Sequence, residues 1–347
     1  MASIFKTFLD GDVARTRNLL HEAIPITGSI LSGSYSEENI KSYTHGMFQS
    51  IYDYPYLSSS ANHIIDVTLG IHADSDLVAE VTSQQAKKEN IYNQMAQVLV
   101  GYDASNTIKS FVDADDTQMD SVFFMNFSRL LVKDEIKKGS ISFTFMTGGA
   151  PPSGTPLGEL VFTDTGSVNN YRVDAAAGEY GYIYDDDGNN AGIVFYQAGA
   201  VVFTSSVFMG SEGTYGAGNV GGDDTTFGTA SADIQEVLAD GDIDEFADGL
   251  RFRVKELSFN NTTELNSTIY FCRANHNEFN YSANPTYLSG TSSKIMVKEN
   301  TLDEPTSYIT SIGLYSADNE LLAVAKLSEP LKKTPQNELT MRVRLDY

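Results

Sequence analysis

The sequence predicts an α+β protein that is mostly β. Short runs of β-branched and aromatic residues recur between Gly, Asp and Asn turn signals through the second half of the chain. Helical 3.6-residue periodicity is concentrated in the first 140 residues. The 347 residues are 41% hydrophobic and 20% charged, enough for a real core in two or three domains.

Charge divides the chain into three stretches. Residues 1–140 hold 11 basic and 18 acidic residues. Residues 141–250 hold one basic residue, Arg172, and 17 acidic ones; residues 251–347 hold 11 of each. These read as a mixed α/β domain (1–140), an acidic Gly-rich β domain or insertion (141–250), and a C-terminal antiparallel, sandwich-like β domain (251–347).

In chain order, Asp12 is placed to cap a helix over Val13–Glu22. "HIIDVTLGI" (His63–Ile71) alternates like a strand. "TSQQAKKENIYNQMAQVLVG" opens with the capping-box spacing of Thr82 and Gln85. Its expected buried face is Ile91, Met95, Val98 and Leu99, and Gly101 closes it. "FFMNFSRLLVKDEIKKG" repeats the plan, with Phe123, Phe127, Leu130 and Leu131 on one face and Gly139 as the stop. "GSISFTFMTG", "GELVFTD", "GYIYDDDGNNAGIVFYQ" and "AVVFTSSVF" then read as short strands of a sandwich or curled sheet. Gly210–Thr229 reads as a loop, and Ser231 as the cap of a helix carrying Ile234, Val237 and Leu238. From Leu250 nearly everything reads as strand: "LRFRVKELSF", "STIYFCRA", "SKIMVKE", "SYITSIGLYS", "NELLAVAKLSEP" and "ELTMRVRLDY". In the last, Met341, Val343 and Leu345 alternate with Arg342, Arg344 and Asp346.

The net charge of −23 argues against a nucleic-acid partner, because binding a phosphate backbone needs clustered Lys and Arg. It argues equally against anionic membranes. The N-terminus lacks the basic region and unbroken apolar core of a secretory signal. Asn189–Gly210 runs 22 residues without a charge, but Gly192 and Gly199 punctuate it. It reads as two buried strands around Ala198–Ala200 and not as a membrane span. One cysteine, Cys272, excludes an intrachain disulfide and fits assembly inside a cell.

Candidate sites fail on spacing. With Gly188 at position 6 of a calcium loop, positions 1 and 12 fall on Ile183 and Val194, neither a ligand. "DGDIDEFADG" has Asp240, Asp242 and Asp244 in place, but Glu245 stands where glycine is needed and Arg251 where Glu is needed. "DDDGNN" is read as a hairpin turn. Its grammar returns in "IGLYSADNELLAVAKL", Ile312–Leu327. His21, His45, His63, His72 and His276 form no metal-ligand pair. His63 and Asp66 are expected on opposite faces of their strand, and His276 follows Cys272 in a loop. No nucleophile elbow, phosphate loop or dinucleotide fingerprint occurs. The expectation is therefore no catalytic, cofactor-binding or metal-ligating residue, and no cofactor.

Two sets of phrases carry a resemblance. The C-terminal "SYITSIGLYSADNELLAVAKLSEPLKK" and "ELTMRVRLDY" resemble tailed-phage virion proteins, where such segments recur in baseplate and fibre-associated components. "TRNLLHEAIPITGSI", "THGMFQSIYDYPYLSSSANHIIDVTLG", "NIYNQMAQVLVGYD" and "MNFSRLLVKDEIKKGS" are similar to a structural protein of contractile-tailed phages infecting marine cyanobacteria. The resemblance implies a non-enzymatic virion component of tail or baseplate, assembled in the host cytoplasm. Its partners would be other virion proteins and copies of itself in a symmetric ring. The alternatives are a neck or head-associated protein, a host-surface adhesin and, least favoured, a glycan hydrolase.

Overall fold

The structure is a computed structural model. It describes residues 5–27, 39–52, 63–76, 83–148, 156–208, 234–239, 241–282, 284–289, 296, 298, 300 and 302–347. Thr82, Ser231, the Gly210–Thr229 loop and most of "SKIMVKE" lie outside these residues.

Strands are β1 (Val13–Thr27), β2 (Ile40–Lys41), β3 (Gln49–Tyr52), β4 (His63–Ile71), β5 (Ser121–Phe127), β6 (Glu135–Ile136), β7 (Ser142–Gly148) and β8 (Pro156–Thr163). There follow β9 (Arg172–Ala175), β10 (Gly178–Asp185), β11 (Asn190–Phe195), β12 (Ala200–Thr204), β13 (Val254–Ala274), β14 (Ser307–Tyr315), β15 (Leu321–Lys333) and β16 (Leu339–Asp346). Helices are α1 (Ser83–Leu99), α2 (Arg129–Val132), α3 (Ile234–Ala239) and α4 (Ile243–Arg253). The protein is thus mostly β, with a few helices and antiparallel sheets, as the sequence predicts.

Contacts divide the chain into two compact units. One is continuous, Leu20–Thr263; the other joins Met1–Leu19 to Glu264–Tyr347. We call them the large and terminal units. The stretches 1–140, 141–250 and 251–347 divide the chain by charge; these two units divide it by contact.

In the large unit the strand order is β7-β8-β10-β11-β12-β5-β4-β3-β2, with the first half of β13 beside β7. The sheet curls. Phe203 on β12 lies against Phe143 and Phe145 on β7, with ring centroids 5.0 and 5.6 Å apart, although three strands separate them in the order. Phe123, Phe162, Phe208 and Phe246 complete this apolar interior. Edge-to-face ring contacts add to the area each Phe removes from water.

Helix α1 covers β4 at Gly70, where a Cβ would stand 3.1 Å from the Tyr92 Cα and closer still to the Phe124 ring. Gly101, at φ +90°, ends the helix as expected, its N–H bonded to the Ala96 carbonyl at 2.9 Å. The buried face differs from the expected one. It comprises Gln85, Lys88, Ile91, Tyr92, Ala96 and Leu99, while Val98 is 67% exposed. Two polar tips fix this rotation. The Tyr92 hydroxyl donates to the Met119 carbonyl and accepts from Phe111 N–H, both at 3.0 Å. The Lys88 ammonium donates to the carbonyls of Val237, Leu238 and Ala239 at 3.2, 2.7 and 3.1 Å, at the C-terminus of α3.

Three expected elements change type. Val13–Glu22 is strand, not helix: Asp12 accepts from Leu9 N–H and Arg273 instead of capping, and Ile24, Ile26 and Thr27 favour extension. Phe123–Lys138 is not one helix. Val122, Phe123, Phe124 and Met125 are all fully buried, as a strand flanked by β4 and β12 requires, and only α2 is helical. Leu250–Arg253 belongs to α4, whose capping box at Asp242 and Glu245 starts a helix burying Phe246, Ala247 and Leu250. "AVVFTSSVF" is strand only to Thr204; Ser205–Phe208 is a 3₁₀ turn.

In the terminal unit, the second half of β13 pairs with β16 from Ser267–Asp346 to Ala274–Leu339. Along β16, Val343 is buried and Met341 and Leu345 half-buried, while Arg342, Arg344 and Asp346 are exposed, the alternation the sequence predicts. β14 and β15 form a separate two-stranded ribbon.

Candidate functional site

The triple aspartate closes a turn. Asp185 Oδ1 accepts from the N–H groups of Asp187 and Asn189 at 3.0 and 2.7 Å, and Oδ2 from the Asn189 amide at 2.9 Å. Gly188 supplies φ +88°. The same device occurs three more times among the described residues. Asp103 Oδ1 accepts from Ser105 and Thr107 N–H at 2.8 Å, and Asp113 Oδ1 from Asp115 and Thr117 at 2.9 and 2.8 Å. Ser316 Oγ accepts from Glu320 N–H at 3.2 Å. Asn106, Asp116 and Asn319 take the left-handed position at φ 63°, 61° and 63°. In all four the fourth residue's N–H returns to the first carbonyl, and the fifth carbonyl accepts from the first N–H. A carboxylate oxygen spent on backbone N–H groups is a turn clasp. The turn at Ser316 answers the shared grammar read from the sequence. The pair at Asp103 and Asp113 was missed, although "DASNT" and "DADDT" stand ten residues apart.

The histidines are held by neighbours. His63 Nε2 contacts Asp66 Oδ1 at 2.8 Å, against the expectation of opposite faces. The register slips between Ile51 and Tyr52, making Ile64 an extra residue on β4, and this bulge brings His63 to the side of Asp66. Ser50 Oγ also donates to Asp66, at 2.5 Å. The carboxylate therefore sits between hydroxyl and imidazole, whereas nucleophile activation needs the imidazole in the middle. His72 contacts Gln118 and Asp74 N–H through Nδ1, at 3.0 and 3.2 Å, and Ser110 through Nε2, at 3.3 Å. His21 contacts Thr262, and His45 accepts from Met47 N–H. His276 contacts Glu338 instead of Cys272; burial and the charge of Asp12 push the Cys272 thiol up, away from a reactive thiolate. Asp242 caps α4, and Asp240 lies outside the described residues. Among the described residues no three His, Cys, Asp or Glu side chains gather to hold a metal, and no helix is long and apolar enough to cross a membrane.

Asp164 was not singled out by the sequence. It is fully buried, and it accepts from Gly139 N–H (2.8 Å), Ile141 N–H (2.9 Å) and the Tyr196 hydroxyl (3.0 Å). Burial pushes its pKa up, the N–H bonds and Tyr196 opposing. The same burial, with the adjacent Asp164 charge, raises Tyr196. This is a structural clasp between β8, the approach to β7 and the end of β11.

The functional surface with the clearest chemistry lies in the terminal unit. That unit holds 11 basic and 12 acidic residues, net −1, while the large unit holds 12 and 34, net −22. Its ribbon leaves Tyr308, Tyr315, Leu321, Leu322 and Val324 exposed. A groove of about 550 Å³ in the same unit is lined chiefly by apolar side chains, among them Phe8, Phe271, Ile309, Leu314 and Met341. No family model matches this chain, no curated protein matches it in sequence, and no solved structure matches it.

Proposed function

We propose that the chain is a non-enzymatic structural component of a contractile-tailed phage particle, in its tail or baseplate, acting through subunit interfaces. One observation carries the reading: in a near-neutral unit, a two-stranded ribbon exposes Tyr308, Tyr315, Leu321, Leu322 and Val324. Contiguous exposed apolar side chains are the mark of an interaction surface. The ribbon is also the part of the chain whose sequence resembles tail proteins. Mass spectrometry of purified particles tests the proposal, and density for the chain in the tail or baseplate is the expected result. Particles that lack the chain would remove it; density at the neck or head would move it.

An adhesin is the second reading, favoured by Val168, Tyr171 and Val173, exposed together in the acidic stretch. Binding of the purified chain to host envelopes, lost on Tyr171→Ala, is the result it requires.

A further inference from the structure

The ribbon has two unlike faces. Ser311, Gly313 and Tyr315 alternate onto one of them, opposite Lys326, Val324 and Leu321. The register slips between Leu314 and Tyr315, so Leu322 is the extra residue of a bulge and Leu321 shares the face of Val324. On this face Tyr315, Leu321 and Val324 are 45%, 52% and 54% exposed, and Leu322 at the bulge is 69% exposed. The other face carries Ile312, Leu314, Ala323 and Ala325, all buried or half-buried. A Cβ at Gly313 would meet the Tyr315 ring at 2.9 Å and Leu321 at 3.2 Å, so both side chains lean over the glycine and join the patch.

Charge flanks this patch in a definite order. Lys326 stands at one end, and Asp318 and Glu320 stand in the turn at the other. All three are exposed, and none makes an ion pair with the described residues. Elsewhere in the unit Lys6, Arg17, Arg273, His276 and Arg344 each meet a carboxylate.

Resting on the assembly reading above, we propose that this face is covered by the same face of a second copy, ribbon on ribbon about a two-fold axis. In such a contact each residue that meets a second is matched by the second meeting the first. On β14, Ser311 (opposite Lys326) and Ser316 (opposite Glu320) lie equally far from Gly313–Leu314, the middle of the patch-bearing part of the ribbon. A two-fold axis there lays Lys326 of each copy toward Asp318 and Glu320 of the other. The centre is then apolar and the rim charge-paired, the anatomy of a specific interface. Charge also selects the occupant. A basic partner is drawn to the large unit at −22, and that same charge keeps two large units apart, so two copies meet where the net charge is near zero.

Sedimentation equilibrium of the full chain tests this. A monomer–dimer equilibrium is expected, with V324E or K326E each lowering the association constant about tenfold or more. Combining K326E with D318K and E320K is expected to restore it. Thermal melts of every variant check folding, and L322R replaces V324E if that variant melts early. A chain still monomeric at about 100 µM overturns the proposal. So does an association that V324E and K326E leave unchanged, or one that the triple charge exchange fails to restore. Presence in the particle is measured separately, so a chain that dimerises but is missing from particles keeps the two-fold contact and removes the virion reading.

Discussion

Asp164, itself fully buried, gathers three donors. Asp164→Ala leaves two backbone N–H groups and a tyrosine hydroxyl without an acceptor, at a cost of about 3 kcal/mol in a urea titration. Its pKa lies above the ordinary carboxylate value, so the folded chain holds its proton more tightly than the unfolded chain. That contribution is complete below the unfolded pKa of 3.8 and fades as pH rises through the folded one; Asp164→Asn should flatten the profile there. The terminal unit has the opposite sign. The Leu9 N–H and Arg273 hold Asp12 low, Lys6 holds Glu278 low, and Ser267 and Arg344 hold Asp346 low. Their contributions are present above the unfolded pKa and are lost as pH falls through the folded values. Acid should therefore loosen the terminal unit below about pH 4, read as early loss of protection from amide exchange over residues 264–347. The Asp164 partnerships are not legible in sequence. Asp164 stands 25 residues from Gly139 and 32 from Tyr196, and local spacing carries no trace of either bond.

At the scale of elements, periodicity succeeded where one face is solvated and failed where both are buried. Helix α1 and the alternation of β16 were legible because half of each meets water. The run Val122–Met125 was not, because a strand buried on both sides has no polar face to set its period. The buried face of α1 was misjudged for a related reason: Lys88, a charged residue, belongs to it. Lys88→Met should cost about 2 kcal/mol by denaturant unfolding, since the α3 carbonyls lose their donor. The turns were legible as turns, and the structure explains their chemistry. At Asn319, with φ 63°, glycine should be tolerated, while valine should cost about 1–2 kcal/mol. Gly188→Val should be similarly harmful at φ +88°. Far-UV circular dichroism against temperature reads both.

At the scale of the molecule, composition locates the charge and contact defines the units. Acidic residues mark solvated surface, whereas the units are defined by pairing between distant segments, such as β13 with β16. With −22 on the large unit, raising salt from about 0.05 to 0.5 M should raise its melting temperature by screening self-repulsion. Calcium and magnesium should act alike, because Oδ1 of each of Asp103, Asp113 and Asp185 is spent on backbone N–H groups. One feature also orders events in time. The large unit is continuous in the chain, but the terminal unit needs residues from both ends. During synthesis the acidic body can therefore fold while Met1–Leu19 waits for Glu264–Tyr347 to leave the ribosome. The exposed apolar side chains of the ribbon emerge after the body is built, so half-made chains carry repulsive charge before they carry that surface.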